Sequence, residues 1–160
     1  MANPDLAKRI ADGTFGDPNQ GRVKSGWLLM ARSGQTYGII GTVVIAGHDL
    51  EDKIISDHVM RIRPRANSII PPGYLAIALS HPTLGRPLVK SLAYGSSIPE
   101  IEVDDLLRFA VPRLAANDEL AIGKLAMRAA QCRSDADEQE RGIARDADSL
   151  LSRFIAGESL

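Results

Sequence analysis

The hydrophobic pattern divides the chain at Pro112. Before it, Gly26-Trp27-Leu28-Leu29-Met30-Ala31 and Tyr37-Gly38-Ile39-Ile40-Gly41-Thr42-Val43-Val44-Ile45 are apolar runs flanked by glycine, separated by the polar Ser33-Gly34-Gln35-Thr36. They predict two strands around a polar turn. Ser56-Asp57-His58-Val59-Met60-Arg61-Ile62-Arg63 alternates polar and apolar residues over its second half. A third strand follows, with Arg61 and Arg63 on one face, Met60 and Ile62 on the other, and Pro64 as its end. After Pro71-Pro72-Gly73 the pattern predicts two short helices, one through residues 74–79 and one through 84–92, with His81-Pro82 between them. Gly95-Ser96-Ser97 reads as a loop.

Beyond Pro112 the pattern changes period. All nine prolines lie at or before Pro112, and from about Ala115 to Ala156 apolar positions recur at helical spacing. Ile122, Leu125, Ala129, Cys132, Ala136, Gln139, Ile143, Ala147, Leu150 and Phe154 are separated by threes and fours, the seam of a helix that packs on another helix. About 40 residues make a rod of roughly 60 Å, too long for a small head to cover. Ala129, Cys132 and Ala136 permit close approach of a partner helix, Cys132 reads as a small buried seam residue, and Gln139 is a polar position that fixes register. Gly142 is a local weak point. The fold class is therefore α+β: a mixed head at 1–114 with a twisted sheet and short helices, then a coiled-coil-type helical arm at 115–160.

Charge sharpens this division. Residues 116–160 carry six Lys/Arg against nine Asp/Glu, whereas the first 115 carry 13 against 11. The span 22–94 holds nine basic residues against four acids, which suits a surface facing a polyanion, although an unevenly charged solvated surface has the same composition. One cysteine excludes an intramolecular disulfide and fits a reducing cytosol. Neither a membrane-spanning stretch nor a signal-peptide core is visible, so a cytoplasmic protein is expected.

No phosphate-binding loop, dinucleotide fingerprint, HExxH, Cys-x-x-Cys or nucleophile elbow occurs. His58 follows Asp57, but neighbours on a strand point to opposite faces, which argues against a proton-transfer pair. His48 and His81 adjoin Gly47 and Pro82 in turn-like settings without further ligands at metal spacing. Neither catalysis, metal nor cofactor is expected.

The fragments GWLLMARSGQTYGIIG, SDHVMRIRP and PPGYLAIALSHPTLGRPLVKSLAYGSSIPEIEVDDLLRFAVPRL, in that order and followed by a long helix, resemble the target recognition domain of type I restriction-modification specificity subunits. The resembling features are Arg32-Ser33-Gly34 after the glycine-led strand, the Ser-Asp-His strand ending at Arg61 to Pro64, the helix pair, the Gly95-Ser96-Ser97 loop, and Pro112-Arg113-Leu114. The resemblance implies a non-catalytic subunit that selects sequence in double-stranded DNA. It also implies partners, a methyltransferase subunit and a restriction motor subunit, and recognition domains held apart by long antiparallel helices.

Because base-contacting positions in that family vary with the target, candidates are chosen here by residue type and position. Arg32, Ser33, Gln35, Thr36 and Tyr37 come first, since a polar turn between apolar strands has little packing reason to carry Arg and Gln; Ser33 and Thr36 serve equally as turn formers. Arg61, Arg63 and Arg65 are cations spaced two apart, suited to a phosphate track or to charge protection of an edge strand. Lys90, Tyr94, Ser96 and Ser97 form a third group, beside a glycine at 95 that admits close approach of backbone to phosphate.

The chain departs from the family in carrying one recognition domain and one spacer helix, half of the full arrangement, with about 25 residues before Trp27, so that a leading strand is missing or the chain is an excised piece. A homodimer through antiparallel arms, reading an interrupted palindromic site, is the expected remedy. Two other classes are an adaptor that docks on a methyltransferase or another helical partner, and a small-ligand domain, for which no pocket signature is visible.

Overall fold

The structure, a computed structural model, describes residues 17, 21–95 and 97–158. It is α+β: three antiparallel strands, β1 (Leu28–Ala31), β2 (Val43–Ile45) and β3 (Val59–Ile62), with helices α1 (Pro72–Ser80), α2 (Arg86–Ser91), α3 (Val103–Leu107) and α4 (Ala116–Ile155). The strand order is β2-β1-β3. Leu29 lies opposite Val44 on one side and Arg61 on the other.

Alternation along β1 sends neighbours to different cores. Leu28 and Met30 join Val43, Met60, Ala76, Leu79, Val89 and Ile101 in the main cluster, whereas Leu29 joins Val23 and Ala46 across the sheet. Met60 and Ile62 face the main cluster and Arg61 is exposed, as the β3 alternation predicts. Helix α1 has no polar side because it lies between the sheet and α4. Ala76 and Leu79 pack on the sheet, while Gly73 meets the backbone of Gly123.

The second predicted strand is shorter than its pattern. Residues 37–41 form turns, with Gly41 at φ +70° and Tyr37 and Ile39 exposed, so only Val43–Ile45 pairs. Residues 48–50 form a one-turn 3-10 helix, and neither it nor α3 is foreseen in the sequence.

The long helix is where predicted, but the head takes a different face. Glu119, Gly123, Ala126, Ala130 and Ser134 are buried, on a face of small residues that lets α4 approach α1 closely. Of the predicted seam, Ile122 is half-buried, while Leu125, Ala129, Ala136, Gln139, Ile143, Ala147, Leu150 and Phe154 are not among the buried residues of α4. Cys132, read as a small residue of the same seam against a partner helix, is likewise exposed on the single chain. The large apolar side chains define one stripe and the small ones a neighbouring stripe, and the head packs on the small one. A rod of this length does exceed the head, yet its first half is docked.

That docking is held by a polar clasp on the 3-10 turn. Ser134 Oγ donates to Asp49 Oδ1 at 2.5 Å and accepts from Asp49 N at 3.2 Å. His48 Nε2 donates to Glu138 Oε2 at 2.9 Å, Gln131 Nε2 and Ser134 Oγ lie 2.9 and 3.1 Å from His48 Nδ1, and Arg141 pairs with Asp49 at 3.9 Å. The hydrogen bond to Glu138, and then the charges of Glu138, Asp135 and Asp49, raise the His48 pKa above 6.5 against partial desolvation. A raised histidine pKa adds stability that is fully present below the unfolded value and lost as pH rises through the folded one. Amide exchange across residues 131–138 is therefore expected to be slower at about pH 6 than at about pH 8 after correction for intrinsic rates. In His48→Gln this pH difference should vanish.

Candidate nucleic-acid interface

Three segments meet beyond the end of β1. Ser33 and Tyr94 each bridge Glu100, Gly34 N–H donates to Pro99 O at 3.1 Å, and Ile101 N–H donates to Arg32 O at 3.0 Å. Ile101 is fully buried in the main core and anchors this junction. The 35–42 loop is braced on it. Gln35 Nε2 donates to Ser97 O at 3.1 Å, Lys90 Nζ donates to Thr36 O at 2.6 Å, and Arg86 donates to Thr42 Oγ1 at 3.2 Å. Tyr37 on this loop is 87% exposed, and Tyr94, bridged to Glu100, is 59% exposed.

The first and third candidate groups thus form one platform, although they are about sixty residues apart in sequence. Within it the cations are engaged. Arg32 reaches Glu100 at 3.2 Å and Glu102 at 3.3 Å, and Lys90 braces the loop, so neither is a freely offered phosphate contact. The other side chains of the platform, Ser33, Gln35, Thr36, Tyr37, Tyr94 and Ser97, are polar or aromatic rather than charged, and of these Ser33 Oγ and Gln35 Nε2 already meet His58 and Ser97 O. Ser96 lies outside the described residues.

His58 joins the platform without a signal in its local sequence, where its only neighbour of interest is Asp57. Its Nδ1 lies 2.7 Å from Ser33 Oγ, and its Nε2 is 4.0 Å from Asp57. The trio has the residue types of a nucleophilic triad without its geometry. His58 and Asp57 are solvated, the His–Asp distance is long, and the neighbouring Gly34 N–H is already bonded to Pro99 O, which removes it as an oxyanion donor.

The arginine row is not part of the platform. His58 stands at the platform end of β3, and Arg63 is five residues on, roughly 16 Å away along an extended chain. Arg61 donates to Arg22 O at 3.0 Å, while the side chains of Arg63 and Arg65 make no hydrogen bond or ion pair among the described residues. These arginines border a groove of about 680 Å³ whose other wall includes Val103, Leu106, Leu107 and Phe109.

Among the described residues, no cluster of three or more His, Cys, Asp or Glu is arranged to hold a metal ion, and no helix is long and apolar enough to cross a membrane. No protein-family model matches the chain, and no curated protein matches it.

Proposed function

We propose that this chain reads double-stranded DNA as one half of a type I specificity subunit in the cytoplasm, positioning a methyltransferase subunit and a restriction subunit without chemistry of its own. The observation that supports this most is the braced platform. Base readout requires hydrogen-bonding and stacking side chains held in fixed positions; Gln35 and Tyr37 stand on a loop tied down by α2 cations and by Ser97 O, and Tyr94 and Ser97 stand on the segment beside it. Arg63 and Arg65, whose side chains are unpaired among the described residues, add longer-range attraction for the polyanion.

Selection of bound duplexes from a randomised DNA library, with the chain and its methyltransferase partner together, is expected to enrich an interrupted motif. Gln35→Ala or Tyr37→Ala should relax the preference at one or two positions of that motif, by about 1–3 kcal/mol per lost base contact. No enrichment with the partner bound would remove this reading.

A second reading, a non-enzymatic adaptor, draws on the exposed stripe of Ile143, Leu150 and Phe154 on the outer half of α4. In the DNA-reading arrangement the same stripe joins two copies as an antiparallel coiled-coil-type pair. Light scattering at micromolar concentration separates the two: a dimer supports paired arms, and a monomer leaves the stripe for another helical partner.

A further inference from the structure

The two edges of the sheet are unlike. On β2, α1 packs along the strand and Ser80 Oγ donates to Val43 O at 3.5 Å. On β3 no further strand pairs with the edge among the described residues. Arg32 N–H donates to His58 O, and the β1–β3 register pairs Met30 with Met60 and Leu28 with Ile62. His58, Met60 and Ile62 therefore turn their backbone groups toward β1, so Val59 and Arg61 turn theirs outward. Val59 N–H is satisfied by Ser56 O, but among the described residues no backbone group meets the Val59 carbonyl or either backbone group of Arg61. Beside this edge runs the 680 Å³ groove, floored by Leu75 and Leu79 and walled by α3, where Leu107 is 75% exposed.

We propose that β3 and α3 form a docking groove for an extended acidic peptide of a partner protein, which adds to the sheet as a fourth strand. The main-chain groups of Arg61 supply the ladder. Alternation then divides the peptide: apolar side chains enter the groove with Leu75, Leu79, Leu106 and Phe109, and the intervening ones emerge on the opposite face beside Arg61 and Arg63. Charge chooses the occupant. Three arginines (61, 63 and 65) and one acid, Asp57, line the groove, together with Arg32, whose charge is met by Glu100 and Glu102. A second β3 would set Arg61 and Arg63 against their own copies, whereas a strand bearing carboxylates at alternate positions meets them with opposite sign. The proposal goes beyond DNA reading and does not depend on it.

The test uses the full chain and a capped heptapeptide alternating glutamate and valine, followed by fluorescence anisotropy and by amide chemical shifts of Val59, Arg61 and Arg63. Binding is expected, with shifts concentrated at these amides, and a lysine–valine peptide should bind about tenfold or more weakly. N-methylation of either the glutamate or the valine amides distinguishes strand addition from mere charge attraction. One set faces β3 and the other faces solvent, so one modified peptide should lose about tenfold or more while the other stays within about twofold. Arg61→Glu combined with Arg63→Glu should reverse the preference toward the lysine peptide. Equal loss from both N-methylated sets, no binding at millimolar peptide, or duplex DNA shifting the same amides where the peptide does not would each overturn the proposal.

Discussion

Gly73→Ala is expected to destabilise the protein by about 3 kcal/mol, near the top of the usual range for overpacking. A Cβ at this position would fall inside the contact radius of the Gly123 carbonyl oxygen, and the obstacle is main chain rather than a side chain that can swing away. Relief requires α1 and α4 to separate, which also pulls Tyr74 from its 2.7 Å hydrogen bond to Pro112 O. The same substitution at Gly142 should act in the opposite direction. Nothing lies within 4 Å of a Cβ there, so Gly142→Ala removes only backbone freedom and should stabilise by up to about 1 kcal/mol. Urea unfolding of the two variants checks both: the midpoint falls for the first and rises for the second, at similar m. Equal midpoints would show that the glycine contact does not hold the helix to the head.

Glu119→Gln is expected to melt several degrees lower than the parent near neutral pH, with a deficit that fades in acid. Glu119 is 1% exposed on the first turns of α4 and accepts from Arg113 Nε at 2.7 Å, Arg113 Nη2 at 2.8 Å and Leu114 N–H at 2.9 Å. The Arg113 hydrogen bonds, followed by the Leu114 amide and the guanidinium charge, hold the carboxyl below its ordinary value of 4.5 in spite of desolvation. A depressed carboxylate contributes stability that is fully present above its unfolded pKa and disappears as pH falls through its folded one. The amide that replaces the carboxylate keeps its shape and loses its charge, leaving Arg113 without its anion. Melting curves from about pH 2 to about pH 7 are the measurement; a deficit of constant size across that range would assign the effect to packing instead.

What is legible in the sequence follows from which signals hydropathy carries. Strand β3 is readable because Met60 and Ile62 enter the core while Arg61 does not, and α4 because forty residues lack proline. Residues 37–41 carry a strand pattern because Tyr37 and Ile39 are strand formers by type, yet they stand in water on a loop set by Gly41 and braced by Lys90. On α4 the periodicity of large apolar residues locates the exposed stripe. Gly123, Ala126 and Ala130 pack through their smallness and Ser134 through its hydroxyl, properties that no hydropathy scale scores. The platform is legible only in pieces. Ser33 and His58, or Lys90 and Thr36, have nothing in their local sequence to announce a contact 25 or 54 residues away.

The clasp between His48-Asp49 and Ser134, Glu138 and Arg141 gives the free end of α4 a compass bearing. The helix is held from Glu119 to Arg141, so the roughly fourteen residues after it, about 21 Å of rod, are aimed as well as extended. Ile143, Leu150 and Phe154 therefore face a set direction relative to Tyr37 on its loop. Each residue inserted between Arg141 and Ile143 would turn that stripe by about 100° while advancing it only about 1.5 Å. Whatever grips the stripe is thereby told which way the platform looks, and a change in the length of this short junction alters orientation far more than reach.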